Sequence, residues 1–216
     1  MAELRQDWFI DQDIRLLQDP AQFCFNTDTV LLARFMEIRP GDRVIDIGTN
    51  NGVLLVYAAQ FHPRSLTGIE VLPAAAGVAR RNLAEMENAS VICGRVQDIS
   101  DLRGSVIISN PPFFTQTSTC RDTPLTPRQM GRVEFNLTLQ ELCQAASRML
   151  EDKGRFYFVH RPDRIQEIMT ALAANGLGVR KLQVVYDHRT GQARSLLVCA
   201  ARNGGGFCEM LPPGEI

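Results

Sequence analysis

Residues 44–52, Val-Ile-Asp-Ile-Gly-Thr-Asn-Asn-Gly, restrict the fold more than any other stretch of the chain. A short apolar strand runs into a loop bearing two glycines, and residues 53–60 continue as a helix. Glycine admits positive φ and lets a backbone approach a ligand closely. The loop also delivers a helix N-terminus, where unpaired N–H groups collect. The same strand–helix alternation recurs downstream. Strands are expected at 43–47, 66–70, 90–93, 105–109, 155–159, 181–186 and 194–201, and helices at 29–37, 52–60, 74–87, 138–150 and 162–175. This order implies an α/β fold with a doubly wound, seven-stranded, mostly parallel sheet and right-handed crossovers. No helix separates the last two strands, which predicts a terminal antiparallel hairpin. Residues 115–135, polar and rich in Thr, Arg and Pro, read as a loop. A chain of 216 residues suits one domain, 1–216, with 1–40 as an N-terminal extension and lid and 41–216 as the core.

Ligands bind such sheets at the carboxyl ends of the strands. Asp46, Glu70, residues 94–98 and Asn110 all fall there. The loop reads Asp-x-Gly-x-x-x-Gly, with Asp46, Gly48 and Gly52, not the dinucleotide pattern Gly-x-Gly-x-x-Gly. A leading acid suits a cationic or amine-bearing ligand better than a pyrophosphate. Glu70 ends the second strand, where a carboxylate can accept both hydroxyls of a ribose.

Residues 109–114 read Ser-Asn-Pro-Pro-Phe-Phe after the apolar run 106–108. Proline fixes φ and lacks an N–H, so the turn is stiff and its carbonyls stay free to accept. Asn110 at the strand end, the Pro111 carbonyl, Pro112 and the Phe113 ring together can grip a planar group carrying an NH2. The two N–H donors go to the Asn110 oxygen and the Pro111 carbonyl, and the ring stacks on the flat face. Alone, Asn-Pro is a strand followed by a tight turn; the acid–glycine loop and Glu70 upstream decide for a site.

These three pieces, in this order, resemble class I S-adenosylmethionine-dependent methyltransferases with an amino-group target. The resemblance extends to tRNA adenine-N6 methyltransferases that act beside the anticodon of a valine tRNA. It is carried further by residues 23–33 (Phe-Cys-Phe-Asn-Thr-Asp-Thr-Val-Leu-Leu-Ala), by 159–164 (Val-His-Arg-Pro-Asp-Arg) and by Leu211-Pro212-Pro213, most closely in the Gram-positive branch. The resemblance implies a Rossmann-like sheet, S-adenosylmethionine as cofactor, an RNA partner and a cytoplasmic enzyme with no metal. Asp46, Gly48, Asn50, Gly52, Glu70 and Asp98 are the expected cofactor residues, with Thr27 and Asp28 closing over the methionine end. Asn110, Pro111, Pro112 and Phe113 are expected to hold the target, and Arg132, Arg161 and Arg164 to meet RNA. Plain alternatives stand beside several: a turn acid for Asp46 and Asp98, helix capping for Thr27 and Asp28, solvated surface for the arginines. His160 receives no role. Two other outcomes stay open, namely another planar amine (a guanine N2 in rRNA or a protein glutamine amide) and a binding module without catalysis. The chain departs from the family at Asn50, where glycine is usual, at Arg95, where an acid is usual, and at Val133 and Arg194.

Composition agrees with this class. No run of about 18 apolar residues occurs, and the N-terminus lacks a basic-then-apolar signal pattern. The six cysteines show no Cys-x-x-Cys spacing, and Cys93 and Cys199 lie in apolar runs, so buried reduced thiols are expected. Net charge is −1, but residues 121–202 carry 13 basic and 8 acidic side chains, and arginine outnumbers lysine 21 to 2. Arginine forks pair with phosphates and stack on bases, so the second half is where RNA is expected to rest.

Overall fold

The computed structural model describes residues 4–10, 14–113, 137–203 and 206–216. Arg132 and Val133 lie outside them. Strands β3 (Arg43–Ile47), β4 (Ser65–Glu70), β5 (Ala89–Cys93), β6 (Gly104–Ser109), β7 (Leu150–His160), β8 (Leu177–Tyr186) and β9 (Ala193–Arg202) form the expected seven. Their spatial order is β8-β9-β7-β6-β3-β4-β5. β3 pairs in parallel with β4 and β6, whereas β9 runs antiparallel to both β7 and β8. Among the described residues the sheet has nine strands rather than seven, because β10 (Glu209–Met210) and β11 (Gly214–Glu215) pair in parallel with β8. A separate hairpin, β1 (Arg5–Trp8) with β2 (Arg15–Gln18), precedes the sheet.

Side chains alternate across a strand, so each central strand feeds two cores. Ile45, Ile107, Phe156, Phe158, Leu196 and Val198 face one way and pack with Leu142 and Met149 of α4 (Leu139–Met149) and Ile168 and Leu172 of α5 (Ile165–Ala174). Val44, Val106, Ile108, Tyr157, Val159 and Leu197 face the other way, onto Leu32 of α1 (Thr27–Phe35), Leu54 and Leu55 of α2 (Val53–Ala59), and Phe9 and Leu16 of the hairpin. Helix α3 (Pro73–Asn82) begins with its proline in the first turn, where no N–H is missed. It stops at Asn82, short of the expected residue 87.

Helix α1 starts at Thr27 rather than residue 29, because Asn26 is the N-cap in a capping box with Thr29. Cys143 and Cys199 are buried, but Cys93 is exposed, correcting its expected burial; it ends β5, the edge strand.

Candidate active site

The strand ends build one cleft. It is lined by Asp46, Gly48, Thr49 and Asn50 after β3, by Glu70 and Leu72 after β4, by Gly94, Arg95, Val96 and Gln97 after β5, and by Asn110, Pro111 and Pro112 after β6. Gln22, Phe23, Phe25 and Thr29 close it from the segment around the start of α1. A second cavity shares Asn110, Pro111 and Pro112 with the first, and adds Phe113, Asn26, Asp28, Arg161 and Arg194. Asn110 thus stands where the two cavities meet.

The glycine loop is shaped from beneath. Gly52 takes φ +80 as the N-cap of α2, a region costly for a residue with Cβ. Thr49 folds back over β4, where a Cβ on Gly68 would come within 2.6 Å of its methyl. The Thr49 hydroxyl then donates to Asp46 Oδ2 at 2.7 Å. The other Asp46 oxygen, Oδ1, is buried without a hydrogen-bond partner among the described residues. Burial pushes this carboxyl up to about 7, against the opposing Thr49 hydrogen bond. Gln22 Oε1 is a second buried oxygen without a partner, on a side chain lining the same cleft.

Glu70 is buried at the end of β4. Its Oε2 accepts from the Asn50 N–H at 2.8 Å and its Oε1 from the Leu72 N–H at 2.9 Å. Burial raises its carboxyl and these backbone bonds pull it back. Each oxygen keeps lone-pair capacity for a ligand hydroxyl. Asn50 adopts φ +50, and its amide donates to the Phe23 carbonyl. The side chain standing in place of the usual glycine therefore ties the loop to the segment before α1.

Several expected residues sit elsewhere. Asp98 is exposed and does not line the cleft; Gln97, one residue earlier in the same turn, does. Thr27 is exposed in the first turn of α1 and lines neither cavity, a place taken by Thr29. Asp28 lies in the second cavity, with Oδ1 accepting from the Ser195 hydroxyl at 2.5 Å, so it stands on the side of Phe113 rather than that of Glu70. Gly52 supports the cleft without lining it. Arg164 is no surface arginine: its side chain is 12% exposed, donates to Glu167 Oε2 at 2.8 Å and to the Phe113 carbonyl at 3.1 Å. It braces the Asn-Pro-Pro-Phe turn from within, which corrects its expected RNA contact. Arg161 lines the second cavity and pairs with Asp163 at 2.9 Å.

His160 packs its ring against Phe113, with centroids 5.3 Å apart. Its Nδ1 accepts from the Arg161 N–H at 2.8 Å. Burial first, and the Arg164 charge second, hold the imidazole down at about 4, so it stays neutral near pH 7. Sequence reasoning missed Gln22, Thr29, Gln97 and the support role of His160. Only Thr29 left a local signal, its three-residue spacing from Asn26.

Among the described residues no group of three or more His, Cys, Asp or Glu side chains is placed to hold a metal ion, and no helix is long and apolar enough to cross a membrane. The donor set fits a cofactor such as S-adenosylmethionine: the buried oxygens Asp46 Oδ1 and Gln22 Oε1 could accept from an ammonium, and Glu70 could accept from ribose hydroxyls.

The sequence is 30% identical over 192 residues to the tRNA1(Val) (adenine(37)-N6)-methyltransferase of Bacteroides thetaiotaomicron, covering 86% of this chain and 80% of that one. It is 30% identical over 166 residues to the enzyme of the same name from Proteus mirabilis, covering 73% and 65%. Both genera are Gram-negative, so these relatives give the expected Gram-positive affinity no support. In fold the chain is similar to Trm5 of Methanocaldococcus jannaschii in complex with adenosine (TM-score 0.68, 17% identity, 94% of this chain and 57% of that one). It is also similar to a ribosomal protein L11 methylase from Lactobacillus delbrueckii (TM-score 0.59, 16% identity, 82% and 77%). The methyltransferase small domain family matches residues 13–175, and with the strand-end cleft and the Asn-Pro-Pro-Phe turn already in place, the chain belongs to that family of methyltransferases.

Proposed function

We propose that this protein methylates the exocyclic N6 of an adenine in tRNA, near the anticodon; its relatives are named for the N6 of adenine 37 in tRNA1(Val). One observation carries the reading. Asn110 stands at the junction of the two cavities, its Nδ2 donates to Thr29 Oγ1 at 3.0 Å, and its Oδ1 has no partner among the described residues. A free acceptor beside the Pro111 carbonyl suits a flat NH2 group.

S-adenosylmethionine, when bound, supplies a methyl group activated by a sulfonium. Asp46 and Gln22 would receive its ammonium, Glu70 its ribose, and the turn at Val96 and Gln97 its adenine. The chain's own task lies with the target amine, whose lone pair is delocalised into the ring. Asn110 Oδ1 and the Pro111 carbonyl accept its two N–H groups and turn the lone pair toward the methyl. Both acceptors favour the pyramidal, positively charged nitrogen that develops as the N–C bond forms and the C–S bond breaks. One of the held protons then leaves to water. Phe113 stacks on the base, a contact worth roughly 1–3 kcal/mol. His160 beneath the ring and Arg164 on the Phe113 carbonyl keep that platform in place. The base must leave its stack to enter. Arg161 and Arg194, which line the second cavity, would face the backbone that follows the base; the Arg194 side chain has no hydrogen bond or ion pair among the described residues.

The test is transfer of labelled methyl from S-adenosylmethionine to unmodified total tRNA, run beside a protein extract, with mass mapping of the product nucleotide. Label on adenine N6 is expected. Label on guanine or in the protein fraction alone would overturn the substrate.

A further inference from the structure

We infer that Thr29 sets which end of the Asn110 carboxamide faces the target, making it a positioning residue for methyl transfer; this rests on Asn110 being the acceptor for the amine. A carboxamide presents an acceptor at one end and a donor at the other, and turning it over would put an N–H against the N–H of the target. Something must therefore choose the orientation.

The choice follows from two backbone N–H groups, which can only donate. The Thr29 N–H donates to the Asn26 side chain at 3.1 Å, so Asn26 presents its oxygen there. The Asn26 N–H donates to Thr29 Oγ1 at 3.2 Å, taking one lone pair of that hydroxyl. The hydroxyl proton goes to the oxygen that Asn26 already presents, Oδ1, at 3.1 Å. A threonine hydroxyl has one proton and two lone pairs. Its proton is engaged and one lone pair is filled, so what remains toward Asn110 is a single acceptor site. Asn110 answers with Nδ2 at 3.0 Å. Its Oδ1 is left for the cleft. Thr29 is buried, 3% exposed, so water does not compete for that site. The capping box that starts α1 thus also selects the orientation of a side chain 81 residues away at the end of β6.

The variant Thr29→Val keeps the shape and removes the hydroxyl; Thr29→Ser restores it. Turnover on tRNA and cofactor affinity by calorimetry are measured for both. Expected for Thr29→Val is a five- to tenfold fall in kcat with the S-adenosylhomocysteine Kd within twofold of wild type, and for Thr29→Ser a kcat within twofold. An unchanged kcat in Thr29→Val, or kcat and cofactor affinity falling together, overturns the inference in favour of a purely structural cap. A second measurement reads the wild-type protein itself and uses a variant only for assignment. In wild-type protein labelled with nitrogen-15 at asparagine, the Asn110 side-chain NH2, assigned by its loss in Asn110→Asp, is expected as two separate signals exchanging slowly with water. Exchange as fast as in a free amide overturns the inference. Should Asn110→Ala retain turnover, the parent reading fails instead, whatever the amide signals show.

Discussion

Asp46 concentrates the electrostatics of the cleft in one side chain. Its Oδ1 is buried and unpartnered, and burial lifts the carboxyl to about 7, so near neutral pH it is only partly ionised. A cationic ligand at that oxygen needs the carboxylate, so binding releases a proton wherever the free group still holds one. The sign follows: affinity for S-adenosylhomocysteine rises with pH up to about 7 and then levels. Between pH 7.5 and 6 the affinity is expected to fall close to tenfold, since each unit below the pKa costs a factor of about ten. Calorimetry across that range checks it, and Asp46→Asn should bind more weakly but with a flat profile. A flat profile in the wild type would separate Asp46 from the ammonium.

At the scale of elements, the N-terminal hairpin is fastened to the glycine loop by side-chain amides. Asn82 at the end of α3 accepts from the Leu17 N–H at 2.8 Å and donates to the Leu17 carbonyl at 2.9 Å and the Asn51 carbonyl at 2.8 Å. Gln18 Oε1 accepts from the Phe25 N–H at 3.0 Å and from the Asn51 amide at 3.2 Å. Asn82→Ala would strip partners from three half-buried backbone groups, a loss of about 2–4 kcal/mol. Urea unfolding should show that loss, and a change below about 0.5 kcal/mol would mean the hairpin does not depend on Asn82. These fastenings also mark where sequence reading stops. The seven longer strands were legible because central strands buried on both faces read as short unbroken apolar runs, as at Val106-Ile107-Ile108. Strands β1, β2, β10 and β11 have two or four residues each and owe their place to distant partners, so no local period announces them. At the site, Asp46, Glu70 and Asn110 were legible because a polar residue closing an apolar strand is conspicuous. Gln22 and Gln97 were not, because only the closed fold brings them to the cleft. Arg164 was misplaced for a similar reason. A guanidinium can serve a phosphate outside or a carbonyl inside, and its residue type does not say which.

Across the whole molecule, two arginines of the more basic half reach the second cavity, where Asp28 and Asp187 also lie. The basic stretch 121–202 supplies Arg161 and Arg194, which line the second cavity beside Asn110 and Phe113. Replacing both with alanine is expected to raise the KM for tRNA about tenfold and reduce the steepness of its salt dependence. Cofactor affinity should not change. An unaltered KM would place the RNA on another face. The proposed chemistry depends on Asn110 as the acceptor that orients the target amine. Its most direct measurement is methyl transfer to unmodified tRNA by Asn110→Ala, with cofactor affinity followed by calorimetry on the same protein. Loss of turnover by at least a hundredfold, with the S-adenosylhomocysteine Kd within twofold of wild type, is the expected result; transfer at a near-normal rate would contradict it.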